Sequence, residues 1–206
     1  MQLFGGNLVA AGDDADMGNV AQWDGSAWTI MGSGLPHPVR ALAIYNGQLV
    51  ASEAGHVHMW DGTAGEDLGT GFLGVVYALA VYTRDLYAAG NIVAIAGGGA
   101  SIQRLAKWNG STWEQVLTGL NGYVTGMLGT ADGLVLAGPF TSDGGGTLVL
   151  PSWTVYDGSQ FLEKPSVAYG VTTVCTYPDG GFILGSSSGV LVRPGTETVI
   201  DMGSIN

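Results

Sequence analysis

The chain has 206 residues, 17 of them acidic and six basic, for a net charge of −11. Its Lys and Arg residues form no cluster able to displace phosphate counterions or grip an anionic bilayer, so neither nucleic acid nor a membrane is expected as a partner. No run of 18 apolar residues is long enough to span a bilayer, and no basic stretch followed by an apolar core opens the chain, so neither a transmembrane segment nor a signal peptide is expected.

Apolar residues make up 46% of the chain, which is too much for disorder. Gly accounts for 36 residues and sits at turns rather than in low-complexity runs. Charged residues are only 11%, against an ordinary ~25%. Strands buried on both sheet faces explain that deficit, as in Val75-Val76-Tyr77-Ala78-Leu79-Ala80-Val81-Tyr82.

In chain order, Met1 to Gly12 reads as a hairpin that starts late, since Leu3 to Ala10 aligns with Ile44 to Ala51. The acidic loop Asp13 to Gly18 follows. Asp14-x-Asp16-x-Gly18 has the carboxylate spacing of a calcium loop, but the downstream bidentate Glu is missing, so a solvated loop is expected. Val20-Ala21-Gln22-Trp23-Asp24-Gly25-Ser26-Ala27-Trp28 is an alternating run that enters a tight Asp-Gly turn and leaves through a second aromatic. It reads as a second hairpin.

The chain repeats both hairpins. The first kind recurs at Ala41 to Ala51, Ala78 to Gly90, Gly126 to Gly138 and Thr173 to Gly185. The second recurs around Trp60-Asp61-Gly62, Trp108-Asn109-Gly110 and Tyr156-Asp157-Gly158, with a faded copy at Arg193. These anchors lie 37, 48, 48 and 37 residues apart. A period of roughly 40 residues with four short strands and no helical spacing predicts a β-propeller. The expected fold is all-β, a single five-bladed propeller domain of four-stranded antiparallel blades. The blades run roughly over residues 1–34, 35–71, 72–119, 120–163 and 164–203. Trp23, Asp24, Gly25, Trp60, Asp61, Gly62, Trp108, Asn109, Gly110, Tyr156, Asp157 and Gly158 are its structural repeat positions. Both chain ends fall at a repeat boundary, so the ring is expected to close by packing blade five on blade one.

Several residues invite a chemical reading. His56 and His58 alternate on one strand and point the same way, as zinc ligands can, but no third ligand is in view, and His37 lies apart in the chain. Gly97-Gly98-Gly99 lacks the Lys-Ser/Thr and the helix of a phosphate loop. Cys175, the chain's one cysteine, is expected to be a buried small side chain of an inner strand. No metal, cofactor or catalytic residue is assigned.

In a four-stranded antiparallel blade the 1–2 and 3–4 turns lie at one end of the disc. The 2–3 loops and the links between blades lie at the other. Here the first set is tight, while the second varies from Glu53-Ala54-Gly55 to the long loops Asn91 to Ser101 and Pro139 to Pro151. Length variation of this kind marks the 2–3 face as the expected interaction surface.

The consensus Val-x-Ala-Leu-Ala-x-Tyr-x-Gly-x-Leu-x-Ala-Gly, followed by Ala-x-Trp-Asp-Gly-Ser-x-Trp, resembles propeller repeats of the galactose-oxidase/kelch-like type. It is most similar to the versions in bacteriophage virion proteins and large bacterial surface proteins. Where kelch repeats carry Gly-Gly after the second strand, this chain has Ala-Gly, Ala-Ser or Gly-Ser. Asn109-Gly110-Ser111-Thr112-Trp113 also resembles the sialidase Asp-box without its leading Ser-x-Asp. Arg40, Arg84, Arg104 and Arg193 do not occupy equivalent repeat positions, so no arginine triad is expected. Five-bladed glycosidases use paired carboxylates near the channel, and the inner strands here hold no Asp or Glu. The resemblance implies a non-enzymatic structural protein of a phage virion (decoration, fibre or tail-associated) that binds other virion or assembly proteins. The alternative is a lectin-like, extracellular or cell-surface propeller that binds glycans.

Overall fold

The computed structural model describes residues 1–60, 65–164, 170–176 and 181–186, and the backbone of 190–193 and 198–201. It contains five antiparallel four-stranded sheets, each built from consecutive strands. Blade one is β1 (Gln2–Phe4), β2 (Asn7–Ala11), β3 (Val20–Trp23) and β4 (Trp28–Ile30). Blade two is β5 (Val39–Tyr45), β6 (Gln48–Glu53), β7 (His56–Trp60) and β8 (Gly65–Asp67). Blade three is β9 (Phe72–Tyr82), β10 (Asp85–Ile95), β11 (Leu105–Trp108) and β12 (Trp113–Gln115). Blade four is β13 (Gly126–Thr130), β14 (Gly133–Ala137), β15 (Trp153–Tyr156) and β16 (Phe161–Leu162). Blade five is β17 (Val171–Thr176), β18 (Phe182–Ser186), β19 (Val190–Arg193) and β20 (Thr198–Asp201). The helical content among the described residues is one 3-10 turn, Ala15–Met17. This is the five-bladed, all-β propeller architecture that the repeats predict.

The Asp-Gly turns fold alike because one side chain makes the same bonds in each. Oδ1 of Asp24 accepts from the Ser26 N–H and hydroxyl and from the Ala27 N–H. Asn109 and Asp157 do the same with Ser111 and Thr112, and with Ser159 and Gln160. Gly25, Gly110 and Gly158 hold φ of 102°, 100° and 103°, a region that a Cβ resists. Hydrogen bonds led by the Ser159 N–H hold the Asp157 carboxyl at about 2. Asp61 and Gly62 lie outside the described residues.

Each turn brings two aromatics together across the hairpin. Trp23 and Trp28, Trp108 and Trp113, and Tyr156 and Phe161 have ring centroids 5.6, 5.2 and 5.8 Å apart, tilted by 51°, 55° and 56°. Directly opposed residues share a sheet face. The aromatic pair of blade three therefore continues the row Val81, Leu86, Trp108, Trp113, and that of blade four the row Gly129, Leu134, Tyr156, Phe161. Leu86, Trp108 and Trp113 pack in one cluster with Val50 and Val57 of blade two. Leu134, Tyr156 and Phe161 pack with Tyr87 and Ala89 of blade three. Each aromatic row is thus the face a blade presents to the blade before it. Gly129 allows a close approach, since a Cβ there would run into the Val81 carbonyl.

The row of blade one, Leu3, Leu8, Trp23 and Trp28, has no such cover among the described residues. Leu3 is 70% exposed and Trp28 40%, against 1% for the equivalent Trp113 and 4% for Phe161. Blade five was expected to close the ring by packing here; among the described residues the row stays exposed instead. The second face of blade five agrees: Val174, Phe182 and Leu184 pack on Trp153 and Val155 of blade four, whereas Cys175, which opposes Ile183 on the other face, is exposed. Cys175 is therefore not the buried side chain its apolar strand suggested. The C-terminal residues 204–206, whose pairing would also bear on closure, lie outside the described residues.

Candidate functional site: the face of the 2–3 loops

Blade three departs most from a plain repeat. Asn91–Ile95, expected to be loop, extends β10 and pairs with Phe72–Val75 of β9 past two bulges. Both stretches are largely apolar, with β-branched Ile92, Val93 and Ile95 in the second, so pairing them satisfies backbone groups that a loop would leave open. The chain then turns at Gly97 and Gly98, with φ of 75° and 86°. It returns alongside, where Ile102 donates to the Val93 carbonyl and Arg104 to that of Ile92. The result is a tongue projecting from the 2–3 face.

In blade four Asp143 organises the 139–151 loop. It is buried, and its carboxylate accepts from the N–H groups of Gly145, Thr147 and Leu148 and from the hydroxyls of Thr118 and Thr147. Burial pushes its pKa upward, but these hydrogen bonds, led by that of Leu148, outweigh it and hold the carboxyl at about 2. An Asp followed by Gly-Gly-Gly-Thr is the sequence signal of such a turn. Asn121 ties the blade link to the same loop through the Thr141 and Ser142 N–H groups.

The face is strongly apolar for a surface. Leu73 and Val93 on the tongue, Leu117 and Tyr123 in the link to blade four, and Val149 in the 139–151 loop are all exposed. Among the described residues the other large exposed apolar side chains, Met1, Leu3, Trp28 and Ile30, belong to blade one.

At blade two the same face gathers all three histidines of the chain. Glu53 is buried, with Oε1 on His37 Nδ1 and Oε2 at 3.2 Å from His58 Nε2. His58 Nδ1 lies 2.8 Å from Asp67 Oδ1, and the His56 ring stacks on His58 with centroids 6.0 Å apart. The His-x-His pair was legible in the sequence. Glu53 and Asp67 were not, although they are the cross-strand partners of His56 and His58. Among the described residues no group of three or more His, Cys, Asp or Glu side chains is placed to hold a metal ion. Asp14 of the acidic loop caps the 3-10 turn by accepting from the Met17 N–H. Trp23, Trp60, Trp108 and Tyr156 all end the third strand of their blades.

Comparison with solved structures places the fold among propellers. Two computationally designed propeller proteins superpose on the chain. Ika4 does so with a TM-score of 0.56 and 17% identity, over 79% of this chain and 93% of its own. Ika8 does so with 0.61 and 19%, over 93% of this chain and 56% of its own. The extracellular domain of BT4673 from B. thetaiotaomicron, described as part of a hybrid two-component system, superposes with 0.67 and 10%, over 96% of this chain and 26% of its own. The chain thus spans about half the length of Ika8 and a quarter of the BT4673 domain. No family model matches the chain, and no curated protein matches it. At these identities the likeness is one of fold, which leaves function to the residues of the site.

Proposed function

We propose that this propeller is a non-enzymatic structural module that docks into a larger assembly through the 2–3 face of blades three and four. The observation that carries this reading is the set of exposed apolar side chains Leu73, Val93, Leu117, Tyr123 and Val149, gathered on one face around the paired tongue of blade three and the loop bonded to Asp143. Large apolar patches on soluble proteins mark interaction sites, and burying them yields about 25 cal/mol per Å². A mean hydropathy of +0.28 with few charges agrees with a protein that works covered. The net −11 keeps the chain soluble before it docks.

The resemblance of the repeats to virion propellers favours a phage particle as the assembly, with other virion proteins as partners. Acids are missing from all five inner strands, which supports a role without glycoside chemistry. The exposed loop residues do not recur from blade to blade, which supports assembly over a repeated sugar pocket. The test is affinity capture from the native particle with wild-type chain and with the double variant Leu73→Glu, Val149→Glu. Loss of the captured partner with the variant supports the reading. Equal capture by both, or saturable glycan binding at equivalent sites in three or more blades, contradicts it.

A further inference from the structure

The uncovered aromatic row of blade one is an inter-blade surface without a blade, and we infer that a second copy of this chain supplies it, seating the free face of its blade five there. The inference is independent of the docking face proposed above, which lies on blades three and four.

Three observations carry it. Leu3, Leu8, Trp23 and Trp28 repeat the row with which blades three and four pack on their predecessors, down to the tilt of the aromatic pair, yet Trp28 is 40% exposed where Trp113 is 1%. Behind the row a hollow of about 300 Å³ opens over Ala10, Ala21 and Trp28, bounded by Met17 and Asp14 of the neighbouring loop. Secondly, the complementary surface is present in the same chain. On blade five Thr173 and Cys175 are exposed on the face opposite the one that packs on blade four. The contact would extend the series of blade-on-blade interfaces already made along the chain. Thirdly, charge permits it. The strands β1 to β4, β17 and β18 carry no Asp, Glu, Lys or Arg, and β19 and β20 add one Arg and one Asp, so two copies of net charge −11 can meet there with little like charge opposed across the seam.

Such a contact is head-to-tail: the blade-one face of each copy meets the blade-five face of the other, and it closes when two arcs complete a ring. The test is light-scattering mass as a function of concentration, with substitutions at exposed positions so that folding is preserved. The wild-type chain is expected at twice its 21.1 kDa mass. Leu3→Glu on blade one and Cys175→Glu on blade five are each expected to weaken association at least tenfold and give monomers. Mixing the two variants should restore a heterodimer, since one intact pair of faces remains. Unchanged circular dichroism and melting certify each fold. A wild-type chain that stays monomeric at high micromolar concentration overturns the inference. So does Cys175→Glu remaining dimeric while Leu3→Glu does not, which would mean that two blade-one faces pair with each other. A Cys175 thiol shielded from alkylation in monomeric Leu3→Glu also overturns it, because the chain's own blade one would then cover it.

Discussion

The Trp113 indole N–H donates to the Leu68 carbonyl across 2.8 Å, and the two residues belong to adjacent blades. Trp113 is also packed by Phe72 at 5.1 Å and Trp108 at 5.2 Å between centroids, so one side chain joins two sheets and closes its own hairpin. Trp113→Phe keeps most of the buried area but leaves the Leu68 carbonyl unpaired. It should cost about 1–2 kcal/mol. Trp113→Ala empties the site and should cost about 3–5 kcal/mol. Urea unfolding of the two variants checks both size and order, and the contrast predicts that Trp28→Phe in a monomeric background is nearly neutral.

Asp143 makes loop order depend on pH. Its carboxyl is held at about 2 in the folded chain, below the ordinary 3.8, so the hydrogen-bonded anion stabilises the fold fully above about pH 4. That stabilisation is lost as pH falls through about 2. Asp143→Asn should cost about 2 kcal/mol at neutral pH, because Asn offers one acceptor oxygen where several donors converge. The melting temperatures of wild type and variant should then converge between pH 4 and pH 2.

The 1–2 turn of blade three is strained. Thr83 and Arg84 hold φ of 50° and 72°, the positions that Gly5 and Gly6 occupy in blade one and Asn46 and Gly47 in blade two. Both central residues of such a turn need positive φ, which a β-branched Thr adopts only at a cost. Replacing the pair with Asn-Gly should stabilise the protein by about 1 kcal/mol, read as a higher melting temperature.

Gly110 has open space where a Cβ would sit, so its φ of 100° is the sole obstacle to substitution. Gly110→Val should cost about 1–2 kcal/mol through backbone strain. An unchanged melting temperature would mean that the turn relaxes.

The repeat made the blades legible because strand period, turn glycines and aromatic anchors report local backbone geometry, and each blade restates them. The tongue of blade three was hidden because Asn91 sits among apolar residues whose partners, Phe72 to Val75, precede the repeat's usual start. The open row of blade one was hidden for a different reason. Trp28 and Trp113 read alike in sequence, and only the presence of a neighbouring blade separates them. The role of Glu53 is not legible in the sequence because its meeting with His37 and His58 is set by register across two strands and a link.

The claim that the 2–3 face of blades three and four is the docking surface is tested most directly by hydroxyl-radical footprinting of the chain alone and in its native assembly. Leu73, Val93, Leu117, Tyr123 and Val149 are exposed in the chain alone and should react there. On assembly the account predicts strong protection of these five, with the Asp24, Asn109 and Asp157 turns at the opposite end still reactive. Undiminished oxidation of the five residues in the assembly, with protection confined to those turns, would contradict it.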